Sequence, residues 1–528
     1  MSMSEGSAHQ GILRHPRIGA ALAFLAFAFA TLLMLYPMLW QPYLPLVDIP
    51  NHIARFTVMA DPEGPLSKYY DLQAAFLYPN SATDLLWLVT GMEGDPVAFA
   101  RMTMMVYVVN FILSVVVLNR VATGRWAAWP AIAGLLVYNG NFIWGFQNYV
   151  FTIPFSLHAL SLWLVLERRS TVWRALIFLP ISILLYTMHL LAFGVLIVAL
   201  LGREIHLIIG DEGGRTHKIS DTFISGVPFL IPTLWYLYQT MSQPAGALGS
   251  RTELGHWWSG RLRALLSIQW ENPLHEFPEI FLSALLTLFV LGLCFLAIFR
   301  TSGPRLHIVS SMKGPVIALA LLSLIAPSWL NGVALIHIRF PFVAMTLLIA
   351  GTYCMGLRLH HKAVLTLVLT GLLFLKAAQF EKLWATHNQD INDLKVVLSE
   401  LPPNSRLLPL RASDQENMQR RLWHAQAYAM IYQDAFIPTF FQGSHAVILK
   451  GEWDQYATAA LRPKSIEQLL NADAIDPSLP YAYLRDWETK FTHILFLDKM
   501  SPPAPLSETV LELGSKGRFT LLGIRSPA

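Results

Sequence analysis

The chain has 528 residues, of which 54% are hydrophobic and 14% charged, with a net charge of +4. Soluble domains carry roughly 25% charged residues, so this composition argues against an ordinary soluble enzyme and for a polytopic membrane protein. The small positive balance is no nucleic-acid footprint; it fits the bias of loops on one membrane face.

The first apolar run, "RIGAALAFLAFAFATLLMLYPMLW", follows basic residues as a signal peptide would. It exceeds the roughly 7–15 apolar residues of a cleaved signal and is expected to stay as a helix. A helix needs about 20 mostly apolar residues to cross the hydrocarbon core. On that basis the expected spans are 17–40, 97–119, 126–142, 147–166, 171–187, 189–208, 221–240, 278–299, 314–330, 338–357 and 363–380, about eleven transmembrane helices.

Basic residues in short loops mark the cytoplasmic side. Arg14 and Arg17; Arg120 and Arg125; Arg168, Arg169 and Arg174; Arg203, Arg215 and Lys218; Arg300, Arg305 and Lys313; and Arg358 and Lys362 fall at the N-terminus and in alternate connections. The N-terminus is therefore expected inside. The opposite face receives a long first loop (41–96), "GNFIWGFQN", a break at His189, a loop at 241–277, "NGVALIHIR" and everything after about 381. The expected organisation is a transmembrane bundle, 1–380, followed by an extracytoplasmic α/β domain, 381–528. In that domain "NQDINDLKVVLSEL" has helical spacing, with Ile391, Leu394, Val397 and Leu398 on one face. "ENMQRRLWHAQAYAMIYQ" also reads as helical, and "RLLPL", "HAVIL", "THILFLD" and "FTLLGI" read as strands. The two cysteines, Cys294 and Cys354, lie in different apolar runs and mark neither a disulfide nor a metal site.

The chemistry is expected on the outer face. In "LPLVDIPNHIARF", Asp48 follows the first span, and Pro50 disfavours a helical Ile49, so a helix is expected from about Asn51. His52 and Arg55 would share one face of it, and the helix is expected to lie along the interface with its apolar side in lipid. The plain alternative is that Asp48 and Asn51 only cap that helix. In "LYPNSATDLLWLV", Asn80 precedes Ser81 and Asp84, which have capping-box spacing. Asp84 and Asp48 are also two carboxylates on one face, able to bind a divalent cation or to divide acid and base roles.

"YNGNFIWGFQNYVF" joins two spans and carries no charge. Its aromatics fit an interfacial belt, but Gln147 and Asn148 at membrane depth need partners or a polar substrate. His189 in "LLYTMHLLAF" either bonds a freed carbonyl or faces a ligand. "LNGVALIHIRFPF" brings His337 and Arg339 to the outer start of a span. Such an arginine either snorkels to the interface or holds a phosphate.

The stretches "PLVDIPNHIAR", "FIWGFQNYVFTIPF", "YTMHLLAF" and "IRFPF", in a multi-span chain with a long first outer loop and a C-terminal outer domain, resemble the GT-C superfamily of integral-membrane glycosyltransferases in a little-characterised bacterial branch. The resemblance implies a bacterial inner-membrane enzyme. Its donor would be a polyprenyl-phosphate sugar and its acceptor a glycan or lipid hydroxyl. It makes Asp48 the base, with His52 orienting it or serving instead, and Arg339 the partner of the leaving phosphate. Asn80, Asp84, Gln147, Asn148, His189 and His337 would line the substrate. A divalent cation is the one cofactor candidate. Ile-Pro follows Asp48 where familiar members carry a second acid, and no Trp-Trp-Asp signature is present. A transporter or flippase, the main rival, would carry ionisable groups in mid-span and paired broken helices. A non-catalytic envelope assembly protein would not need Asp48, His52 or Arg339.

Overall fold

The computed structural model describes residues 16–74, 79–210, 219–241, 252–256, 260–261, 263–266, 288, 292, 305–330, 333–412, 419–441, 446–458, 462–500 and 502–525. All but residues 288 and 292 of the expected span 278–299, and most of the loop 241–277, lie outside them. The chain divides into two compact units: residues 1–36, 105–142 and 148–378, and residues 37–104, 143–147 and 379–528.

Among the described residues, six helices are long and apolar enough to cross a membrane: Arg17–Trp40, Pro96–Thr123, Gln147–Leu166, Thr171–Met188, Leu190–Ile209 and Leu359–Leu398. The helices expose large apolar side chains such as Phe24, Leu32, Leu184, Leu230, Leu234 and Leu367, which suits lipid rather than water. Ser310–Ile325 and Ile336–Ala350 are shorter apolar helices, and Ile219–Met241 is a further helix of 23 residues. The fold is that of a multi-pass helical membrane protein.

One expected span differs in kind. Segment 126–142 contains the eight-residue 3-10 stretch Trp129–Leu136 and the short helix Gly140–Ile143. At about 2.0 Å per residue the 3-10 stretch covers only about 16 Å, half a hydrocarbon core. Pro130 near its start and the Asn139 amide, which bonds back to the Leu136 carbonyl at 3.0 Å, keep the segment out of a continuous α-helix. The expected span 338–357 stops as a helix at Ala350. Thr352–Met355 then pairs antiparallel with Arg305–Ile308, and the Asn119 amide clamps the Ala350 and Thr352 carbonyls at 2.8 Å each.

In the first unit, Leu190–Ile209 and Ser310–Ile325 meet at two glycines. A Cβ on Gly202 would stand 2.5 Å from the Gly314 carbonyl oxygen, so only a residue without a side chain lets the backbones come this close. Arg203 holds Glu167 with two hydrogen bonds, at 2.7 and 2.9 Å.

The second unit contains a five-stranded mixed sheet. Its order is Val510–Lys516, Phe519–Ile524, His493–Phe496, Leu407–Arg411, Lys464–Ser465. The two central neighbours, His493–Phe496 and Leu407–Arg411, run parallel, and the final two long strands form a hairpin through Gly517 at φ +60°. "HAVIL" does not join this sheet: Val447–Leu449 pairs antiparallel with Tyr70–Leu72 of the first loop. "NQDINDLKVVLSEL" is the end of the 40-residue helix Leu359–Leu398, which at 1.5 Å per residue runs about 60 Å. Ile391, Leu394, Val397 and Leu398 are buried there, as their spacing requires. The described part of "ENMQRRLWHAQAYAMIYQ" is not one helix but the 3-10 turns Arg420–Leu422 and Ala425–Ala427 followed by Tyr428–Gln433.

Candidate functional site

The helix expected from Asn51 starts two residues earlier. It spans Ile49–Ala60, with Pro50 in its first turn, where a missing N–H costs nothing. Ten of its twelve residues are buried, so it does not lie with one side in lipid as expected. Asn51 is inside it, fully buried, and neither polar atom of its side chain has a partner. Asp48 takes the N-cap position but its side chain makes no capping hydrogen bond. The capping account of Asp48 and Asn51 is therefore set aside.

The Asp48 backbone is fixed from outside the helix. Its N–H donates to the Trp144 carbonyl at 3.1 Å, and the Val47 N–H to that of Ile143 at 3.0 Å. Gly145, at φ +79°, packs so tightly that a Cβ there would sit 2.7 Å from the Asp48 nitrogen. The Asp48 carboxylate, 18% exposed, has its Oδ1 3.4 Å from Nε2 of the buried His424. The other ring nitrogen of His424, Nδ1, is buried without a partner. His424 sits on a segment anchored by Arg421, which donates to His387 Nδ1 at 3.1 Å and pairs with Asp390.

His52 and Arg55 do share a face. An Arg55 guanidinium nitrogen lies 2.8 Å from His52 Nδ1, which makes that nitrogen the acceptor, because a guanidinium can only donate. Arg55 also pairs with Asp84 Oδ1 at 2.8 Å, both side chains being essentially unexposed. Ser81 does precede the helix Ala82–Val89, but no capping hydrogen bond forms; Asp84 is spent on Arg55 instead. Burial pushes the Asp84 carboxyl above the usual range, and the charge and hydrogen bond of Arg55 oppose this. The Phe441 ring stands edge-on to both His52 and His424, at 5.8 and 5.6 Å. Asn80 is half-buried just before Ser81. Gln147 is fully buried, with no partner for either amide atom.

The first unit holds a separate polar cluster. His189 caps Leu190–Ile209: its Nδ1 accepts the N–H groups of Leu191 and Ala192 at 3.1 and 3.4 Å. The neutral ring must then carry its proton on Nε2. That Nε2 lies 3.4 Å from a guanidinium nitrogen of Arg339, which is also only a donor. Arg339 is buried at the first turn of Arg339–Ala350, 5.2 Å over the Tyr149 ring, and Tyr149 donates its hydroxyl to the Arg339 carbonyl at 2.9 Å. Arg339 also donates to the Ala334 carbonyl at 3.4 Å. A buried guanidinium and an imidazole N–H thus lie side by side, an arrangement suited to an anion. His337 lies in the 3-10 turn Ile336–Ile338 just before, beside Gly260. Asn148 is buried, its carbonyl taken by Thr152 Oγ1 at 2.6 Å.

Sequence reasoning missed His424, which nothing local distinguishes in "LWHAQAY", and the acceptor role of His52. The Arg55–Asp84 pair was legible only as two charges in one loop. Among the described residues no group of three or more His, Cys, Asp and Glu could hold a metal ion.

No protein-family model matches the chain, and no curated protein matches it. Two solved structures of ArnT from Cupriavidus metallidurans are similar to it. One, bound to undecaprenyl phosphate, is 11% identical with a TM-score of 0.49, over 96% of this chain and 97% of that one. The other, in the apo state, is 11% identical with a TM-score of 0.48, over 98% of each chain.

Proposed function

We propose that the chain is a membrane glycosyltransferase that moves a sugar from a polyprenyl-phosphate donor to an extracytoplasmic hydroxyl of a glycan or lipid. The observation that carries this reading is the buried Arg339 facing the Nε2–H of His189. A buried cation beside a neutral N–H donor is suited to a phosphate oxygen, which accepts from both. The apolar helix faces around that unit suit a polyprenyl tail.

The acceptor hydroxyl is a poor nucleophile at neutral pH and needs a positioned base. Asp48 is the carboxylate suited to this, since Asp84 is sealed against Arg55. Asp48 takes the hydroxyl proton as the oxygen attacks the sugar C1. The C1–O bond to the phosphate breaks, and the lipid phosphate leaves with the bonding pair. His52 is not the base at Nδ1, because Arg55 already occupies that lone pair. If a divalent cation joins the reaction, Asp48 rather than Asp84 is the carboxylate open to it. Gln147, Asn148 and Asn80 are proposed to hold sugar hydroxyls.

Purified protein given labelled polyprenyl-phosphate hexose tests this. Asp48→Asn is expected to abolish transfer while the protein still folds and inserts; full activity would reject Asp48 as the base. Arg339→Ala is expected to weaken donor binding more than Arg168→Ala or Arg169→Ala. Equal effects would count against the phosphate role.

A further inference from the structure

We propose that His424 is the positioning residue of Asp48: its Nε2 holds carboxylate Oδ1 and leaves Oδ2 as the oxygen that accepts a proton. The catalytic consequence rests on the glycosyltransferase reading; the pairing itself does not. Three observations carry it. The 3.4 Å approach joins a buried ring, 3% exposed, to a partly open carboxylate, 18% exposed, so one side of the carboxylate is covered by His424. The carboxylate sits at a helix N-cap yet does no capping, which leaves the His424 contact as its described interaction. Both partners are held from behind. Gly145 and the Trp144 carbonyl fix the Asp48 backbone, and the Arg421 contacts with His387 and Asp390 fix the turn carrying His424.

The charged and titratable groups near this pair include Arg420, whose guanidinium lies over the Trp144 and Trp423 rings, and Arg462, over the Trp423 ring. His52 stands one helical turn from Asp48 and is turned to Arg55, which in turn is neutralised by Asp84. The Phe441 ring stands edge-on to both imidazoles. Arg421 spends its charge on Asp390. His424 is, among the described residues, the group in direct contact with the Asp48 carboxylate. A held carboxylate presents one oxygen in one direction, and a misplacement of about 1 Å costs about 100-fold in rate.

The test uses the full-length protein and two readouts. The first is the extent of carbodiimide labelling of Asp48 at one fixed pH, read by peptide mass spectrometry without turnover. His424→Ala uncovers one side of the carboxylate and is expected to raise labelling several-fold. His424→Gln, whose amide N–H reaches the same oxygen, is expected to restore most of the protection. Labelling unchanged in His424→Ala overturns the pairing. If the alanine variant does not fold, His424→Phe fills the space beside Phe441 without a donor and takes its place in the second readout.

The second readout is sugar transfer. His424→Ala is expected to lower kcat about 10–100-fold with the donor KM unchanged, and glutamine to recover it. A loss carried by KM, or glutamine behaving like alanine alongside a fall in melting temperature, marks a merely structural histidine and overturns the proposal. A wild-type protein that transfers no sugar sinks the glycosyltransferase reading alone, because the extent of labelling still decides the pairing.

Discussion

Replacing Arg55 with methionine removes the cation from a pair that is 2.8 Å long and essentially unexposed. At an effective dielectric of about 20, charges at that distance attract by about 6 kcal/mol. Burying both ions costs much of that gain, so the pair adds little net stability. Removing one partner, however, leaves the other charged and buried, at about 3–5 kcal/mol. Arg55→Met and Asp84→Leu should each lower the unfolding free energy in detergent by that amount. The double variant Arg55→Met/Asp84→Leu should regain most of it, because two apolar side chains then replace the two ions. The pH dependence of Arg55→Met has a definite sign. Burial already raises the Asp84 carboxyl, and without Arg55 nothing opposes it. The folded variant then holds its proton more tightly than the unfolded chain does. Its stability is greatest below the ordinary carboxyl value of 3.8 and falls as pH rises through the raised folded value. The loss should thus be larger at pH 8 than at pH 5. Single losses below about 1 kcal/mol, or a double loss equal to the sum of the singles, would refute the buried-pair argument.

Three further outcomes follow from particular contacts. Gly145→Ala should damage transfer more than stability. The left-handed conformation costs an L-residue only about 1–2 kcal/mol, while its Cβ would displace the Asp48 backbone from 2.7 Å away; unchanged transfer would contradict this. Gly314→Val should prevent folding of the first unit, because its Cβ has no room against the Gly202 carbonyl. Gly371→Val on Leu359–Leu398 meets nothing within 4 Å and should be tolerated, and yields of folded protein compare the two. His493, on the central sheet, has its pKa lowered by burial. The unfolded chain therefore takes a proton near pH 6.5 that the fold resists, and stability should fall as pH drops through the lower folded value. His493→Gln should flatten that limb of a melting-temperature profile.

Hydrophobic period and length determined the membrane class by themselves, because an apolar run of about 20 residues has few other fates. The buried face of the Leu359–Leu398 end and the strands around Leu407–Arg411, His493–Phe496 and Phe519–Ile524 were legible for the same reason: side-chain spacing reports which face is covered. Asp48, His189 and Arg339 stood out as polar residues beside apolar runs. Their partners did not. Whether a carboxylate caps a helix, pairs with an arginine or meets a histidine depends on which backbone reaches it. The sequence offered capping for both Asp48 and Asp84; the fold gave one to His424 and the other to Arg55. Segment 126–142 had span-like composition, yet its proline and the Asn139 bond to the chain behind it selected a 3-10 path. Local composition sets what a segment can bury, while contacts between distant segments decide which polar group answers which.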